Sequence, residues 1–544
     1  SNSTTSDLLT RVYARLNFKI TDWLRFTTQF QYEFGNFQRK QISEQETYAV
    51  RSKINNFASS PDGVNAKFNL PYGDIYSNGT NDQRTYNFRN QLDFNKTFAG
   101  VHDITAIAGM EMRHNKTRFE SNTLYGYDDD LNQWTVVDQS AIQSFSNAIF
   151  SRPWIAATDF ASINELTNRF ISFYGNAAYA FDTRYMINGS IRTDRTNLYG
   201  TSSKYQGKPI WSTGVAWRID QEEFFNAGWV NMLKLRASYG IGGNIAKNRW
   251  PYTVAYYSTN THPGVGGMQG SISSRPNPKL RWEKTTTTNV GVDFALFTNR
   301  LNGSVEYYNK KGTDLLASSN GISVEGQGFS TNVINNGEMT NRGFELNVNG
   351  VIIQNRDWSW SAQGVIGYNH SKVDYVNVEA PVYFLQLDQP EAFPRVGVPF
   401  TALYGYKWAG LSADGLPQVY DAEGNVCSSN TPTNLDDIIY LGSYTPTYSG
   451  SLSTNLRWRE LTLSALFLFE GGHKLRCADF TYNDRWKNPG DEAVTDVPRY
   501  VAGENPSLYC NMDLYNRSSA VIRDASNIRF RNISLTYNVP GLWC

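Results

Sequence analysis

The residues best suited to bond chemistry are few in this sequence, and their spacing is poor. The five histidines, at 102, 114, 262, 370 and 473, form no pair with metal-ligand spacing, and no HExxH motif occurs. A glycosidase needs two carboxylates at a set separation, but the 50 Asp and Glu residues single out no pair. Neither a GxSxG elbow nor a P-loop is present. The sequence therefore predicts no catalytic residues, no cofactor and no enzyme.

Two acidic segments and one glycine-rich segment are the next candidates for a ligand site. Asp128–Asp130 and Asp421–Asn425 could offer oxygen atoms to Ca²⁺, but neither matches the full EF-hand loop. Gly264–Gly270 has the wrong spacing for a dinucleotide-binding loop, and no strand–helix unit surrounds it. We therefore predict solvated or flexible loops at all three places and no metal site.

The four cysteines, at 427, 477, 510 and 544, form no CxxC pair and show no zinc spacing. Cys477 and Cys510 fall in one predicted loop, where they could form a disulfide in an oxidising compartment. Unpaired loop thiols are the favoured interpretation.

Composition excludes two further classes of protein. The numbers of basic and acidic residues are equal, so no net positive charge attracts nucleic acid. No apolar run reaches the roughly 18 residues that a transmembrane helix needs. The chain is nevertheless rich in Tyr, Phe and Trp, which is typical of a barrel with aromatic residues at the membrane interfaces.

The elements that would position any site are strands with strict alternation. Within 23–34, Leu24, Phe26 and Phe30 share one face, while Arg25 and Gln29 lie on the other. This pattern recurs along the chain and predicts about fifteen strands, many near the roughly 9–11 residues that a tilted strand needs to cross a bilayer. The pattern predicts an all-β fold.

The connections between these strands alternate between short and long. The short ones lie near 21–22, 96–101, 182–184, 220–231, 297–300, 354–357 and 459–460. The long ones cover roughly 35–84, 117–167, 193–209, 243–280, 309–341, 370–447 and 470–526. Because outer-membrane barrels have short periplasmic turns and long extracellular loops, the sequence predicts an antiparallel transmembrane β-barrel with assigned sides.

Two groups of aromatic residues follow this division. Five tryptophans lie beside short turns and predict a periplasmic girdle: Trp23, Trp229, Trp358, Trp360 and Trp458. Four loop aromatics could stack on sugar rings and are the candidate substrate-binding residues: Trp134, Trp250, Tyr256 and Tyr257. The alternative, which we favour for these four, is that they pack their own loops.

From residue 277 onward a series of phrases, beginning with NPKLRWEKTT at 277–286 and NVGVDF at 289–294, resembles segments of the SusC/RagA-type TonB-dependent transporters. The resemblance rests on several phrases in a shared order, which are 277–286, 289–294, 300–311, 313–316, 336–346, 404–411, 484–486, 489–491, 495–499 and 528–540. The phrases NPKLRWEKTT at 277–286 and YGYKWAGL at 404–411 are two of them. The first 270 residues are compatible with the family but contain fewer such phrases.

The resemblance implies a 22-stranded barrel, an N-terminal plug inside it and a TonB-contacting segment before the plug. It also implies a SusD-like surface lipoprotein that acts as a lid. Residues 1–544 then correspond to a partial barrel that lacks the plug and the closing C-terminal strands. We accordingly expect an internal fragment, because an open sheet edge in hydrocarbon leaves backbone groups unpaired.

The predicted function is active import across the outer membrane, where the barrel contacts lipid. The resemblance implies energy supplied through TonB and a large nutrient, an oligosaccharide in preference to a peptide. One alternative is a passive porin or structural outer-membrane barrel. Another is a secreted, soluble β-rich glycan-binding protein or hydrolase.

Overall fold

A computed structural model describes residues 2–139, 142, 147–149, 159–198, 206–244, 251–261, 268–274, 276–320, 331–412, 417–428, 431–477 and 513–539. Fifteen long strands in this part of the chain follow one another in a single meander. They are β1 (Asn2–Lys19), β2 (Leu24–Ser43), β3 (Asp74–Phe98), β4 (His102–Asp128), β5 (Ala161–Phe181), β6 (Tyr185–Thr196), β7 (Ile210–Arg218), β8 (Val230–Asn244), β9 (Glu283–Leu296), β10 (Leu301–Asn320), β11 (Thr331–Gln354), β12 (Trp358–Tyr375), β13 (Tyr448–Trp458), β14 (Leu461–Gly471) and β15 (Asn527–Tyr537).

All neighbouring strands in this sheet, which we call the wall, are antiparallel. The short strand Gln133–Thr135 joins β4 as a sixteenth member. Among the described residues, β1 pairs only with β2, and β15 pairs only with β14. The predicted all-β, antiparallel architecture of about fifteen strands is therefore confirmed.

The register between strands separates an apolar face of the wall from a polar one. In the β12–β13 pair, Gly364 faces Leu452, while the next pair along the strands is Gln363 and Ser453. Because side chains alternate with period 2, the apolar residues share one face and the polar residues share the other. Large apolar side chains on the first face stay exposed, as at Val215 (53%). Such a face suits contact with lipid better than contact with water.

Seven short connections link strands at one end of the wall. They lie at 20–23, 99–101, 182–184, 219–229, 297–300, 355–357 and 459–460, which confirms each predicted position. The tight turn between β5 and β6 places Asp182 and Thr183 at positive φ, 49° and 56°. Turns with both central φ values positive match the right-handed twist of the flanking strands.

At the opposite end the predicted connections are too long, because the strands continue beyond the apolar stripe. β2 extends to Ser43 and β3 starts at Asp74, so the connection predicted at 35–84 is partly strand. The predicted connections 117–167 and 309–341 contain strand residues for the same reason. Successive pairs on opposite faces are polar, such as Lys40 with Asn78 and Gln41 with Ser77, so these extensions lack the alternation that reveals a strand.

The long connections also contain folded structure. The helix α1 (Tyr48–Asn56) packs Val50 and Ile54 against Tyr125 of β4. The helix α2 (Tyr383–Asp388) lies beside a four-stranded sheet. The strands of this sheet, in spatial order, are Val426–Cys427, Pro417–Tyr420, Ala402–Leu411 and Ile438–Ser443. We call residues 376–447 and 513–526 together the loop body.

The remaining elements are short. They are the strands Ala58–Ser59, Lys67–Phe68, Val254–Thr261, Met268–Ser274, Lys474–Arg476 and Ile522–Asp524, and the 3₁₀ turns Ile219–Gln221, Leu435–Asp437 and Ser519–Val521. None of the helices in the described part of the chain is long and apolar enough to cross a membrane.

Candidate functional site

The polar face of the wall contains a hydrogen-bonded network that links β3 to β5. Arg89 Nε donates to Tyr174 Oη at 2.6 Å, and Tyr174 Oη donates to Gln91 Oε1 at 2.9 Å. Gln91 Nε2 then donates to Asp93 Oδ1 at 2.6 Å. The Tyr174 ring and the Gln91 amide are held in place, because each has a hydrogen-bond partner on its own strand or on a nearby one.

A second network on the same face joins β4, β5 and β6. Arg192 Nε donates to the two carboxylate oxygens of Asp194 at 2.8 and 3.0 Å. Arg192 Nη2 donates to Ser172 Oγ at 2.8 Å and lies 3.9 Å from Glu111 Oε2. Ser172 and Asp194 are only 2% and 8% exposed. Burial of these charges is tolerable because guanidinium, carboxylate and hydroxyl neutralise and saturate one another.

A third network lies farther along the polar face. Arg236 on β8 pairs with Asp293 on β9 at 3.2 Å and with Glu306 on β10. Asn289 donates to Glu306 Oε2 at 3.1 Å. The polar face thus carries positive guanidinium groups, negative carboxylates and neutral amides, which suits a hydrated passage for a polar molecule.

Glycine allows close side-chain packing on this face. A Cβ added to Gly109 on β4 would lie 2.5 Å from Tyr174 Oη and 2.6 Å from the carbonyl oxygen of Asn90. Tyr174 therefore lies directly over the backbone at Gly109. Glycine at this position lets the ring reach Arg89 and Gln91 on β3.

Aromatic pairs mark the short-turn end of the apolar face. Trp358 and Trp458 stack with ring centroids 5.8 Å apart, and Trp229 lies 5.6 Å from Phe297. Ten residues along β12 from Trp358, Tyr368 faces Tyr448 of β13. With a rise of about 3.3 Å per residue and a tilt near 40°, the two aromatic levels are about 25 Å apart. That distance matches the apolar band of an outer-membrane barrel.

Comparison with known proteins identifies the family to which this strand architecture belongs. The model of the family described as "TonB dependent receptor-like, beta-barrel" matches residues 2–539. The chain belongs to this family. It is therefore an outer-membrane protein, with its short turns toward the periplasm and its long connections outside the cell. The predicted outer-membrane location is confirmed, and the secreted, soluble alternative is wrong.

Individual relatives support the SusC/RagA branch. TonB-dependent receptor P26 of Formosa agariphila is 27% identical over 92% of this chain and 51% of its own length. SusC of Bacteroides thetaiotaomicron is 28% identical over 69% of this chain and 38% of its own length. The solved RagAB peptide transporter has a TM-score of 0.75 at 21% identity, over 98% of this chain and 56% of that one. The predicted family is confirmed, and the chain spans about half the length of P26.

The described substrate-binding candidates lie on two extracellular connections, Trp134 on the one after β4 and both Tyr256 and Tyr257 on the one between β8 and β9. Trp134, in the strand Gln133–Thr135 beside β4, is 52% exposed. Tyr256 and Tyr257 lie in the strand Val254–Thr261, where their backbones pair with Ser271 and Gly270. Trp250 lies outside the described residues. A role in stacking on sugar rings stays a prediction for all four residues.

The acidic segments serve turns in the structure. Asp128 Oδ1 accepts hydrogen bonds from the backbone N–H groups of Asp130 and Leu131, both at 3.0 Å. The Asn425 side chain, together with nearby backbone N–H groups, lowers the pKa of Asp421 by hydrogen bonding to its carboxylate. Within the described ranges, no cluster of three or more His, Cys, Asp or Glu residues could hold a metal ion.

The favoured interpretation of Cys477 and Cys510 as unpaired loop thiols stays a prediction. Cys477 is partly buried and follows the strand Lys474–Arg476, but Cys510 lies outside the described residues.

The loop body has a core of its own. Tyr404 and Tyr406 are 2% and 0% exposed, and burial raises the pKa of both phenols. Arg395 donates to the carbonyl oxygens of Leu435 and Ile438, each at 2.7 Å, and its guanidinium lies 5.1 Å from the Tyr404 ring centroid. Arg476 donates to the carbonyl oxygens of Asn516, at 2.7 Å, and Tyr404. A partly buried cation, Arg476, therefore ties the loop body to the short strand that follows the extracellular end of β14.

The NPKLRWE phrase at 277–283 forms a clamp at the start of β9, a structural role that the sequence patterns did not predict. Arg281 Nη2 pairs with Asp314 Oδ1 at 2.5 Å, and Asn335 Oδ1 accepts from the Arg281 backbone N–H at 3.0 Å. Asn335 Nδ2 also donates to the carbonyl oxygens of Arg281 and Asp314, at 2.8 and 2.7 Å. Glu283 accepts from the Leu316 backbone N–H at 2.9 Å. The only local signal was this run of charged and amide residues just before a strand.

Proposed function

We propose that the chain forms the wall of an outer-membrane importer that takes up a large nutrient with energy supplied through TonB. The main support is the family match over residues 2–539, together with the polar networks on the inner face. These networks make the inner face hydrophilic, so that a hydrated solute can pass along it. The wall itself would supply contacts and a passage, without bond chemistry.

An oligosaccharide is the proposed nutrient, and a peptide is the second candidate. Sugar hydroxyls donate and accept hydrogen bonds, as the carboxylate, amide and guanidinium groups of the inner face require. The peptide candidate is favoured by one specific likeness, since RagAB is described as a peptide transporter. Within the proposal, Trp134, Trp250, Tyr256 and Tyr257 contact the solute at the extracellular end.

Two partners belong to the proposal. A SusD-like surface lipoprotein would cover the extracellular end, and TonB would act on a plug inside the barrel. The likeness to SusC and to RagAB supports both partners. We further propose that other strands pair with the edges of β1 and β15, which have no partner among the described residues, since an unpaired backbone group in hydrocarbon costs several kcal/mol. Residues 1–544 would then be part of a 22-stranded barrel.

Uptake into intact cells tests this function. Cells that express the complete transporter should accumulate a fluorescent oligosaccharide, and deletion of TonB should abolish accumulation. Accumulation that persists without TonB would support the passive-porin alternative instead, as would steady conductance of the purified protein in a planar bilayer. Accumulation of a labelled peptide but of no oligosaccharide would select the second candidate.

Substitution of an extracellular aromatic residue tests whether these side chains contact the solute. Trp134→Ala should weaken uptake if the indole stacks on the solute, and Tyr48→Ala is a suitable control because Tyr48 is an 84% exposed aromatic in α1. Equal uptake by the two variants, with both proteins folded, would remove Trp134 from the binding surface.

A further inference from the structure

One pocket on the inner face is lined both by wall strands and by a residue from an extracellular connection, Trp282. It has a volume of about 320 Å³ and lies where β4, β5 and β6 meet the segment before β9. Small-molecule sites usually measure about 300–1,000 Å³. This pocket therefore has room for a single small unit of a longer solute.

The floor of the pocket is complete without a ligand. It consists of the Arg192, Asp194 and Ser172 network, in which the guanidinium and the carboxylate already bind each other. Because these groups are fixed and neutralised, the floor is a rigid polar surface. Any group that could bind a ligand therefore lies on the sides of the pocket and not on its floor.

Two side groups of the pocket do lack partners among the described residues. The Oδ1 atom of Asn168 on β5 is buried and accepts no hydrogen bond. Arg113 on β4 is exposed, and none of the described carboxylates forms an ion pair with it. A buried oxygen without a donor is destabilising. The site thus offers one acceptor that needs a donor, and up to five N–H donors.

Trp282 supplies an apolar side to the same pocket. A Cβ added to Gly243 would lie 2.6 Å from Trp282 Cε3, so the indole packs directly on the backbone of β8. The flanking residues Arg281 and Glu283 are held by Asp314 and by the Leu316 backbone. The NPKLRWE clamp therefore positions the indole at the rim of the polar floor.

We propose that Asn168, Arg113 and Trp282 form a subsite that binds one neutral pyranose unit of the transported oligosaccharide. This proposal rests on the function proposed above. A sugar hydroxyl donates to Asn168 and another accepts from Arg113, while a C–H face of the ring covers the indole.

Charge selects a neutral unit over an acidic one. Glu111 and Asp194 balance Arg113 and Arg192 within the pocket lining, so the lining has no net charge to attract an anion. A carboxylate would suit Arg113, but it would approach Glu111 and could not donate to Asn168.

The test uses the complete transporter, purified from the outer membrane together with any lipoprotein partner. Binding is measured by calorimetry with neutral hexasaccharides of glucose, mannose and xylose, with tri-galacturonate, and with a neutral hexapeptide. The variants are Asn168→Ala, Arg113→Gln and Trp282→Phe. The control is Arg25→Gln, which removes an exposed arginine on the same face near the periplasmic end of β2.

We expect at least one neutral hexasaccharide to bind the native protein. Each pocket variant should weaken that binding about tenfold, the effect of losing one good contact, and the control should leave it unchanged. Because Trp282 also packs on Gly243, the Asn168 and Arg113 variants decide the test if Trp282→Phe alters folding.

Three results would overturn the subsite. Unchanged affinity in the Asn168 and Arg113 variants would remove the subsite and leave oligosaccharide import intact. Binding of tri-galacturonate or of the hexapeptide in place of every neutral sugar, with loss in Arg113→Gln, would contradict the assigned ligand class. Failure of the native protein both to bind and to import any oligosaccharide would reject the subsite together with the proposed nutrient.

Discussion

The wall and the loop body use the same kinds of apolar residue in opposite ways. Leu452 and Val290 on the wall are 47% and 49% exposed, whereas Tyr406 and Val419 in the loop body are fully buried. The difference follows from the solvent, because lipid contacts the outer face of the wall and water surrounds the loop body. An exposed apolar side chain therefore contacts lipid if it lies on the outer face of the wall, and contacts water if it lies in the loop body.

The two regions also differ in what holds them together. In the wall, long backbone ladders join each strand to its neighbours, and β3 with β4 is paired along almost its whole length. In the loop body the strands are short, and the buried side chains of Tyr404 and Ile438 and the cations Arg395 and Arg476 join them. Single side chains should therefore matter more in the loop body.

The largest expected effect is the loss of a core side chain from the loop body. Tyr406→Ala should reduce the free energy of unfolding of this region by about 3–5 kcal/mol, because a large buried ring leaves a cavity. Limited proteolysis should then cut within 376–447 while the heat-modifiable gel mobility of the barrel is unchanged. Tyr440→Ala, at a 41% exposed position in the same sheet, should have a much smaller effect. Loss of barrel mobility in Tyr406→Ala would contradict the separation of the two regions.

A charge on the lipid face tests the wall. Leu452 lies between Tyr448 and Trp458 on the outer face of β13, near the middle of the apolar band. Leu452→Arg should destabilise the barrel by about 2–4 kcal/mol, whereas Ser453→Arg places the same charge on the polar face and should cost far less. Urea titration in lipid vesicles measures both variants. Equal destabilisation would mean that the two faces are not lipid and lumen.

The clamp before β9 should show a smaller effect that is local. Arg281 and Asp314 are 24% and 30% exposed, so solvent screens part of their attraction. Arg281→Ala should cost about 1 kcal/mol and increase hydrogen exchange around residues 314–316. The control is Arg459→Ala, which breaks a more exposed pair with Asp357 in a periplasmic turn. Similar exchange in both variants would show that Arg281 does not position this segment.

The smallest expected effect is a pH response at the junction between the loop body and the wall. The hydrogen bond from Tyr444 to Glu391 raises the pKa of Tyr444 to about 12, above its ordinary value of 10.0. The contribution of Tyr444 to stability is fully present below pH 10 and is lost as the pH rises toward 12. Absorbance titration of tyrosinate, taken as the difference between the native protein and Tyr444→Phe, should show a transition near pH 12. A transition near pH 10 would contradict the hydrogen bond.

The sequence predicted the wall better than its extracellular extensions. Alternation is visible wherever one face meets lipid, as in 23–34, so strand positions and the seven short turns followed from it. Beyond the bilayer both faces of β2 and β3 are wet, since Lys40 pairs with Asn78 on one face and Gln41 with Ser77 on the other, and no alternation distinguishes strand from loop. The predicted connections were too long there for that reason.

The membrane-spanning parts of the strands, their two faces, the membrane side of each connection and the family could all be predicted from the residues alone. These follow from local periodicity and from ordered phrases, which need no knowledge of distant contacts. Only the tertiary structure brought Trp282 of the NPKLRWE phrase to Asn168 and Asp194 of the inner wall. That meeting depends on the sheet order, on the clamp with Asp314 and on the small size of Gly243. No local pattern contains such information, because residues far apart in the chain meet only after every strand between them has paired.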